Sequence, residues 1–531
     1  MRTGKGAAVI TLSCRIDGGD FDSAGQATRG LKERLSRLGV SPSVMRRAMI
    51  ASYEAEMNVV IHARRGTLWA RLDVGQLDIE VADEGPGIPD VRLALMEGWS
   101  TASSRAREMG FGAGMGLPNI RRSSDQFDIE TRVGRGTRIR STIFLGGDAP
   151  VTEPEPAVPL SIDAGQCRRC LRCLRACPTG ALRVHADGPS IRAPLCIGCT
   201  ACIRECRQGA IRLRADGQPL VVPKDSLLVV PAAFFAGAPG EPSVSSTERM
   251  LRGMAGLGFA EVRLAEEWAE ALRAEAGRSP SRAVAPVIPP TCPAVVALVE
   301  SRFPSLIPHL GPWLPPLEAA GEEFPLRSVF LVAACPAQHL SANRASLTPR
   351  LTVIGADGLR EALRDAPPGE MPRGTTQPMR GSHPDGALAI CGGRQVMAAL
   401  AALETGAFSD VPVLDLAMCE SGCSGSALLC VEPFLAELAG RRLEALRAGL
   451  PASDAGAVSR SAAYRQRPGM RLHPDMASAI AALGRIDELA RALPGRDCGA
   501  CGAPTCALLA EDIVIGRADR SCCPHATEVS P

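Results

Sequence analysis

Aromatic residues are scarce in this chain of 531 residues: Phe, Trp and Tyr make up 3% of it, although hydrophobic residues together reach 46%. The hydrophobic cores must therefore be built from Leu, Val, Ile and Ala. No run of about twenty apolar residues occurs, so we expect no membrane span. The first residues, MRTGKGAAVITLSCRI, lack the apolar region and cleavage site of a signal peptide. We therefore expect a cytoplasmic protein.

An excess of charge of either sign is also missing, since the formal net charge is only +2. This balance argues against nucleic acid as the main partner. Cysteine, in contrast, is abundant, with 20 residues. Thiols stay reduced in the cytosol, so this number suggests metal binding, provided that the spacings agree.

The length implies several domains, and we expect an α/β multidomain protein. Residues 1–146 alternate apolar strands with helical patterns, and residues 147–160 form a Pro/Glu-rich linker. Residues 161–216 hold eight cysteines, and residues 217–450, which we call the body domain, return to an α/β rhythm with SLLVVPAAFF and SVFLVAAC as buried strands. A cysteine-rich C-terminal domain occupies residues 470–531.

The eight cysteines of residues 161–216 form two copies of one spacing, in CRRCLRCLRACP and in CIGCTACIREC. Three cysteines on a tight loop can bind one face of an iron–sulfur cube, whereas the fourth cannot reach around that loop and ligates the other cluster. The predicted ligands are Cys167, Cys170, Cys173 and Cys206 for site I, and Cys196, Cys199, Cys202 and Cys177 for site II.

This segment resembles the bacterial two-cluster ferredoxins, so we call it the ferredoxin domain. Zinc is the alternative, but zinc rarely uses such three-plus-one repeats. Arg207 stands where the second motif of the family usually has proline, which affects the turn and not the ligands. The arginines of the first motif form either a solvated basic face or a surface that favours a reduced cluster and attracts an acidic donor such as a ferredoxin. They are Arg168, Arg169, Arg172 and Arg175.

The last cysteines lie in DCGACGAPTCALLAEDIVIGRADRSCCPH, where three fall on a Gly-rich loop and an adjacent pair follows a helical pattern. This stretch resembles the small four-cysteine cluster domain of Rnf complex B subunits and of some hydrogenase-related sensors. The resemblance implies a small α-helical domain with another 4Fe–4S site, formed by Cys498, Cys501, Cys506 and one of the pair Cys522 and Cys523. We choose Cys523, and structural zinc is the alternative.

Four cysteines of the body domain lie in PPTCPAVV, VAACPAQH and MCESGCSGS. Their order after a ferredoxin domain resembles the catalytic domain of FeFe hydrogenases, in which these positions hold the cubane half of the active-site cluster. The resemblance implies a further 4Fe–4S site, which we call the body site, formed by Cys292, Cys335, Cys419 and Cys423. Cys391, just before the Gly-Gly start of a helix, is expected in the core.

The body domain departs from that family at several positions. Thr291 replaces a proton-donating cysteine, Gln338 replaces a lysine that bonds the diiron cyanides, and Ala417 replaces a methionine. A buried cyanide without its charged donor loses roughly 1.5–3 kcal/mol per hydrogen bond. We therefore expect the cubane site to be kept, the diiron site to be lost, and hydrogen turnover to be absent.

The N-terminal segment carries four pieces in order: the helical ASYEAEMNVVIHA, VADEGPGIPD after a strand, GFGAGMGLPNI leading into a helix, and VGRGTRIRSTIF. Glu54 can orient or deprotonate a nucleophile, and Asn58 can offer an oxygen to Mg²⁺. Asp83 can accept a hydrogen bond from the adenine amino group. Glycines let the backbone approach the base (Gly85, Gly87) and expose amide groups to phosphates (Gly112, Gly114, Gly116).

Together these pieces resemble the GHKL ATPases, an α/β sandwich, and especially the small serine/threonine switch kinases of the anti-sigma and stressosome type. GPGIPD, GWSTA and GRGT match that subgroup, and the last adds Thr137 to the nucleotide site. We call residues 1–146 the ATP domain. The resemblance implies Mg²⁺, ATP, kinase activity and a phosphoacceptor partner of the anti-sigma-antagonist type; a degenerate fold kept only for docking is the alternative.

The sequence thus predicts a redox-responsive signalling protein, in which 4Fe–4S clusters are coupled to a kinase-like domain. Two other functions remain open. One is an electron-transfer oxidoreductase related to FeFe hydrogenase, and the other is an ATP-gated donor of low-potential electrons.

Overall fold

The computed structural model describes residues 9–21, 23–102, 112, 114–145, 160–185, 188–213, 220–237, 243–278, 283–345, 351–375, 383–429, 432–467 and 472–526. They form a mixed α/β multidomain protein, as the sequence predicts. Most of the linker, residues 147–159, lies outside the described residues, and its last residue, Leu160, already begins a strand. No helix in these ranges is long and apolar enough to cross a membrane.

The ATP domain is an antiparallel sheet of order β1-β2-β3-β5-β4 with helices packed on one face. Its strands are β1 (Ile10–Asp17), β2 (Arg65–Leu72), β3 (Gln76–Asp83), β4 (Gln126–Arg132) and β5 (Gly136–Phe144). Its helices are α1 (Gln26–Leu38), α2 (Pro42–His62), α3 (Val91–Ala94) and α4 (Gly116–Ser123). The alternating burial of β2 and β3 explains the sheet, because one face of each strand meets the helices.

The ferredoxin domain is built from two short antiparallel pairs, β6 with β9 and β7 with β8. Their bounds are β6 (Leu160–Ile162), β7 (Leu182–His185), β8 (Gly188–Ile191) and β9 (Ile211–Leu213). The helices α5 (Arg172–Ala176) and α6 (Ala201–Glu205) each carry the third cysteine of a motif.

The body domain holds a parallel sheet of order β11-β10-β12-β13 and a separate parallel pair, β14 with β15. The strands are β10 (Ser226–Val230), β11 (Phe259–Leu264), β12 (Val329–Ala333), β13 (Leu351–Gly355), β14 (Leu388–Cys391) and β15 (Leu414–Ala417). The helices are α7 (Val244–Gly256), α8 (Ala265–Arg278), α9 (Pro293–Arg302), α10 (Pro316–Glu323), α11 (Pro336–Ala345), α12 (Ala356–Arg364), α13 (Gly393–Glu404) and α14 (Pro433–Leu446).

Two expectations for the body domain are wrong. The strand predicted over SLLVVPAAFF stops at Val230, because Pro231 has no N–H to donate to the ladder, and Ala232–Gly237 form a 3-10 helix. Cys391 is exposed instead of lying in the core. It ends β14, which belongs to a sheet of only two strands and so lacks a neighbour on its other side.

The C-terminal domain consists of α15 (Met476–Ala492), α16 (Cys506–Val514) and connecting loops. It packs on the ferredoxin domain through charges that are almost fully buried. Arg183 and Asp512 form an ion pair whose side chains are only 3% and 1% exposed, and Arg192 reaches both Glu511 at 2.7 Å and Asp512 at 3.1 Å.

Candidate functional sites

The nucleotide cavity of the ATP domain lies between α2, the end of β3 and the start of α4, and has a volume of about 800 Å³. It falls within the range of ~300–1,000 Å³ that is common for small-molecule sites. The sequence-predicted residues on its wall are Glu54, Asn58, Asp83, Gly87, Gly112, Gly114, Gly116 and Thr137. Burial raises the pKa of Glu54 above its usual value, and a hydrogen bond of 2.6 Å from Asn119 opposes that rise.

Asp83 lies in a different part of the cavity from Glu54, and backbone N–H groups hold its carboxylate in place. Its Oδ1 accepts hydrogen bonds from the N–H groups of Gly85 at 2.8 Å and Thr137 at 3.2 Å. Base recognition, the role implied for Asp83, would therefore fall to Oδ2. Gly85 does not line the cavity: a Cβ there would lie 2.7 Å from Asp83 Oδ1, so glycine serves to let the chain turn onto this carboxylate.

The glycines of the phosphate loop are required by the backbone conformation or by close neighbours. Gly112 and Gly114 have φ values of +82° and +74°, which L side chains rarely adopt. A Cβ on Gly116 would lie 3.2 Å from Asn58 Oδ1 and 3.3 Å from Glu54 Oε2. The start of α4 therefore comes close to the two polar side chains of α2, where amide groups can meet phosphate oxygens.

Sequence reasoning missed part of this cavity. Tyr53 and His62 of α2 line it, and so do Thr405, Gly406 and Ala407, which follow α13 of the body domain. Burial raises the pKa of Tyr53, and the neighbouring Thr405 hydroxyl opposes that rise. For His62 the helical spacing of four residues from Asn58 was an available signal, whereas Tyr53 has no such spacing from Glu54 or Asn58. No local signal marks residues 405–407.

The ferredoxin cysteines lie close to one another, and Cys167, Cys170, Cys173 and Cys206 line one recess. In site I, burial raises the pKa of Cys173 to about 11, and the thiols of Cys206, Cys167 and Cys170 add to the rise. In site II, burial raises the pKa of Cys199, as do Cys177, Cys202 and Cys196. Thiols that raise one another's pKa lie close together, which fits ligation of a shared cluster.

The body site joins loops from distant parts of the chain. Burial raises the pKa of Cys423 well above its usual value, and the neighbouring thiols of Cys292, Cys335 and Cys419 raise it further. Cys423 nevertheless keeps accessible surface. Gln338, which stands where the related family has lysine, places Nε2 3.5 Å from the sulfur of Cys423. These four residues fit a cubane.

In the C-terminal domain, one recess is lined by Cys498, Cys501, Cys506 and Cys523. Cys522 is not on its wall, although both Cys522 and Cys523 pack against the hydrophobic core of the domain. Burial raises the pKa of Cys501, and Cys523 and Cys498 contribute.

No group of three or more His, Cys, Asp or Glu side chains in the described ranges is arranged to hold a single metal ion.

The four cysteine sites are neighbours in the fold, in the order C-terminal domain, site I, site II and body site. Gly502, in the C-terminal domain, accepts a hydrogen bond of 2.9 Å from the N–H of Val184, which lines site I. Cys173 of site I is among the thiols that raise the pKa of Cys202 in site II. Thr200, in the loop of site II, lies close enough to Cys419 of the body site to lower the pKa of that thiol.

Three segments of the chain match known protein families. Residues 46–146 match the histidine kinase-, DNA gyrase B- and HSP90-like ATPases. Residues 159–207 match the 4Fe-4S dicluster domain, and residues 493–525 match a putative Fe-S cluster family.

Serine/threonine-protein kinase RsbT of Bacillus subtilis (strain 168) is 32% identical over 124 residues, which cover 22% of this chain and 87% of that protein. The anti-sigma F factor of Thermoanaerobacter sp. (strain X514) is 32% identical over 100 residues, covering 18% of this chain and 66% of that protein. Through its ATP domain, the chain belongs to the histidine kinase-, DNA gyrase B- and HSP90-like ATPase family, as a relative of RsbT.

Among solved structures, FeFe-hydrogenase HydA(deltaEFG) is 15% identical, with a TM-score of 0.34, and covers 47% of this chain and 96% of that chain. A variant of FeFe-hydrogenase HydA1 from Chlamydomonas reinhardtii is 14% identical, with a TM-score of 0.33, and covers 48% and 90%. These scores are low, so the body site rests on its own geometry.

Proposed function

We propose that this protein is a cytoplasmic ATP-dependent serine/threonine kinase whose output follows the redox state of 4Fe–4S clusters bound by the rest of the chain. Its phosphoacceptor is a protein of the anti-sigma-antagonist type, and a ferredoxin-like protein is its electron donor. The relationship to RsbT supports the kinase part, and the matches to two iron–sulfur families support the cluster part.

One helix carries the proposal, because it contacts both a cysteine site and the nucleotide cavity. At the start of α13, the N–H of Gly392 donates to Ala417 at 2.9 Å, and Gly393 lies against Met418, next to Cys419. At its other end, residues 405–407 form part of the cavity wall. A shift of the loop that carries Cys419 therefore has a direct route to the ATP site.

Within the cavity, the side chains divide the work of phosphoryl transfer. Asp83 recognises the base, the glycine loop before α4 holds the phosphates, and Asn58 offers an oxygen to Mg²⁺. Glu54 accepts the proton of the attacking hydroxyl, a task that suits a carboxyl whose pKa is raised by burial.

Sixteen cysteines supply the ligands of four clusters: the sets of sites I and II, the body site, and Cys498, Cys501, Cys506 and Cys523. A bound 4Fe–4S cluster takes up or releases one electron. Around the body site, the protein contributes the Gln338 amide and backbone N–H groups directed at Cys292 and Cys335. These dipoles respond to a change of charge there by moving the loops that hold them.

The succession of cysteine sites favours a second candidate, an ATP-gated electron donor. Coupling between two sites is reciprocal, so nucleotide in the cavity would alter the body site through the same helix. In that case ATP turnover would depend on a reduced acceptor. Hydrogen evolution with dithionite would instead indicate a catalytic oxidoreductase.

The test compares ADP release from Mg-ATP by cluster-loaded protein in dithionite-reduced and oxidised form. We expect a several-fold difference, because ~1.4 kcal/mol of altered docking already shifts an equilibrium tenfold. Cys419→Ser should reduce this difference, whereas Cys391→Ser, at a neighbouring thiol that is not one of the four proposed body-site ligands, should keep it. Equal rates in both redox states of fully loaded protein would refute redox control.

A further inference from the structure

The body domain places a hydroxyl group in the nucleotide cavity of the ATP domain. Of the three residues that it contributes, Gly406 and Ala407 have no nucleophilic side chain, whereas Thr405 has one. The Thr405 hydroxyl donates a hydrogen bond of 2.8 Å to the carbonyl oxygen of Ala402, and Thr405 lies beside Tyr53 on the cavity wall, where it lowers the pKa of the tyrosine. Its position is therefore defined from both domains.

The hydroxyl lies at the catalytic end of the cavity and away from the base. Tyr53 directly precedes Glu54 on α2, so its neighbour Thr405 is next to the turn that carries the proposed general base. Asp83 lies near the other end of α2. Its carboxylate accepts a hydrogen bond from Gly85, and a Cβ on Gly85 would lie 3.2 Å from Ala63, the residue that follows α2. Ten residues of helix, from Tyr53 to Ala63, separate these two ends by ~15 Å.

Glu404, the residue before Thr405, helps to hold Thr405 beside the cavity through its own contacts with Lys32 and Ser305. Its carboxylate pairs with Lys32 of α1 and also accepts a hydrogen bond from Ser305. The Lys32 ammonium lies 3.9 Å from the centre of the Phe303 ring, so the ion pair is enclosed by both domains. Residue 405 is thus held against the ATP domain by its neighbour as well as by Tyr53.

We propose that Thr405 is a phosphoacceptor for ATP bound in the same chain. This inference rests on the proposed kinase function and names one acceptor for it. The Thr405 oxygen attacks the γ-phosphorus and forms a new O–P bond while the bond to the bridging β,γ-oxygen breaks and ADP leaves. The hydroxyl proton passes to Glu54, and the product is phosphothreonine.

Phosphorylation changes the contact between the two domains. A phosphate adds a charge of about −1.5 to −2 at the C-terminal end of α13, beside Glu404, where both the helix dipole and the carboxylate oppose it. The end of α13 should then leave Tyr53. The transfer would convert a docked arrangement into a released one and open the cavity to a partner's hydroxyl.

The test incubates the full-length, cluster-loaded protein with Mg-ATP and locates phosphate by peptide mass spectrometry. We expect phosphothreonine at residue 405, at a rate per chain that does not depend on protein concentration. Thr405→Val should remove this phosphate and Thr405→Ser should restore it as phosphoserine, while Glu54→Ala should abolish it. Hydrogen exchange of residues 393–407 should rise after phosphorylation in the wild type and not in Thr405→Val.

Three outcomes would overturn the inference. ADP release without phosphate at residue 405 would refute Thr405 as acceptor and leave the kinase function standing. Phosphate that appears on Glu54→Ala chains mixed with active Thr405→Val chains would show transfer between chains. Absence of both ATP binding and ADP release would refute the kinase function together with the inference.

Discussion

At the scale of single residues, the nucleotide cavity holds two carboxylates, Asp83 and Glu54, at different places. Asp83 is held by two backbone N–H groups, and Glu54 is held by the side chain of Asn119. The two carboxylates lie near opposite ends of the pocket-facing part of α2, so substitutions at them should affect different steps.

We expect Asp83→Asn to weaken Mg-ATP binding about 10- to 100-fold, because a hydrogen bond to a charged group contributes ~1.5–3 kcal/mol. Glu54→Ala should bind ATP nearly as well as the wild type but lose a factor of ~10²–10⁴ in phosphoryl transfer. Calorimetric titration and ADP release measure the two effects. Glu84→Gln, an exposed carboxylate next to Asp83, is the control, and equal loss of binding at residues 54 and 83 would contradict these roles.

The pH dependence of turnover should reflect the burial of Glu54. A general base acts only when ionised, and burial raises the pKa of this carboxyl, so activity should fall at a higher pH than for an exposed glutamate. The Asn119 amide stabilises the ionised form, so Asn119→Ala should raise the pKa and move the acidic limb of the pH–rate profile to still higher pH. An unchanged limb in Asn119→Ala would show that Glu54 does not set it.

At the scale of secondary-structure elements, α16 is attached to the ferredoxin domain by buried charges. Asp512→Ala should cost ~3–5 kcal/mol, because it leaves Arg183 charged, buried and without its carboxylate. Urea unfolding and hydrogen exchange of residues 493–525 measure the loss. Glu437→Ala, in a pair with Arg441 whose side chains are 62% and 58% exposed, should change stability by at most ~1 kcal/mol. Similar effects of the two substitutions would contradict the importance of burial.

At the scale of the whole molecule, the four cysteine sites predict about sixteen iron atoms per chain after anaerobic reconstitution. Cys523→Ser should lose about four of them, whereas Cys522→Ser, whose thiol is not on the wall of the recess, should keep them. Iron analysis and the visible absorption of the clusters measure this. About eight iron atoms in the wild type would mean that only the ferredoxin sites assemble.

The sequence by itself determined the chemistry of each segment. Cysteine spacing indicated the cluster loops, and four ordered motifs indicated the ATP domain, because loop ligands and phosphate-binding glycines are specified within a few residues. Local pattern also explains the one wrong strand boundary, where the effect of Pro231 on the ladder was overlooked.

Only the tertiary structure decided how the segments meet. Lys32 and Glu404 form a pair across 372 residues, and Thr405 enters a cavity whose other walls come from residues 53–139. None of these three residues stands in a sequence motif, because contacts of this kind depend on the packing of whole domains. The exposure of Cys391 has the same origin: its strand sequence is apolar, but the small sheet to which it belongs leaves the end of that strand uncovered.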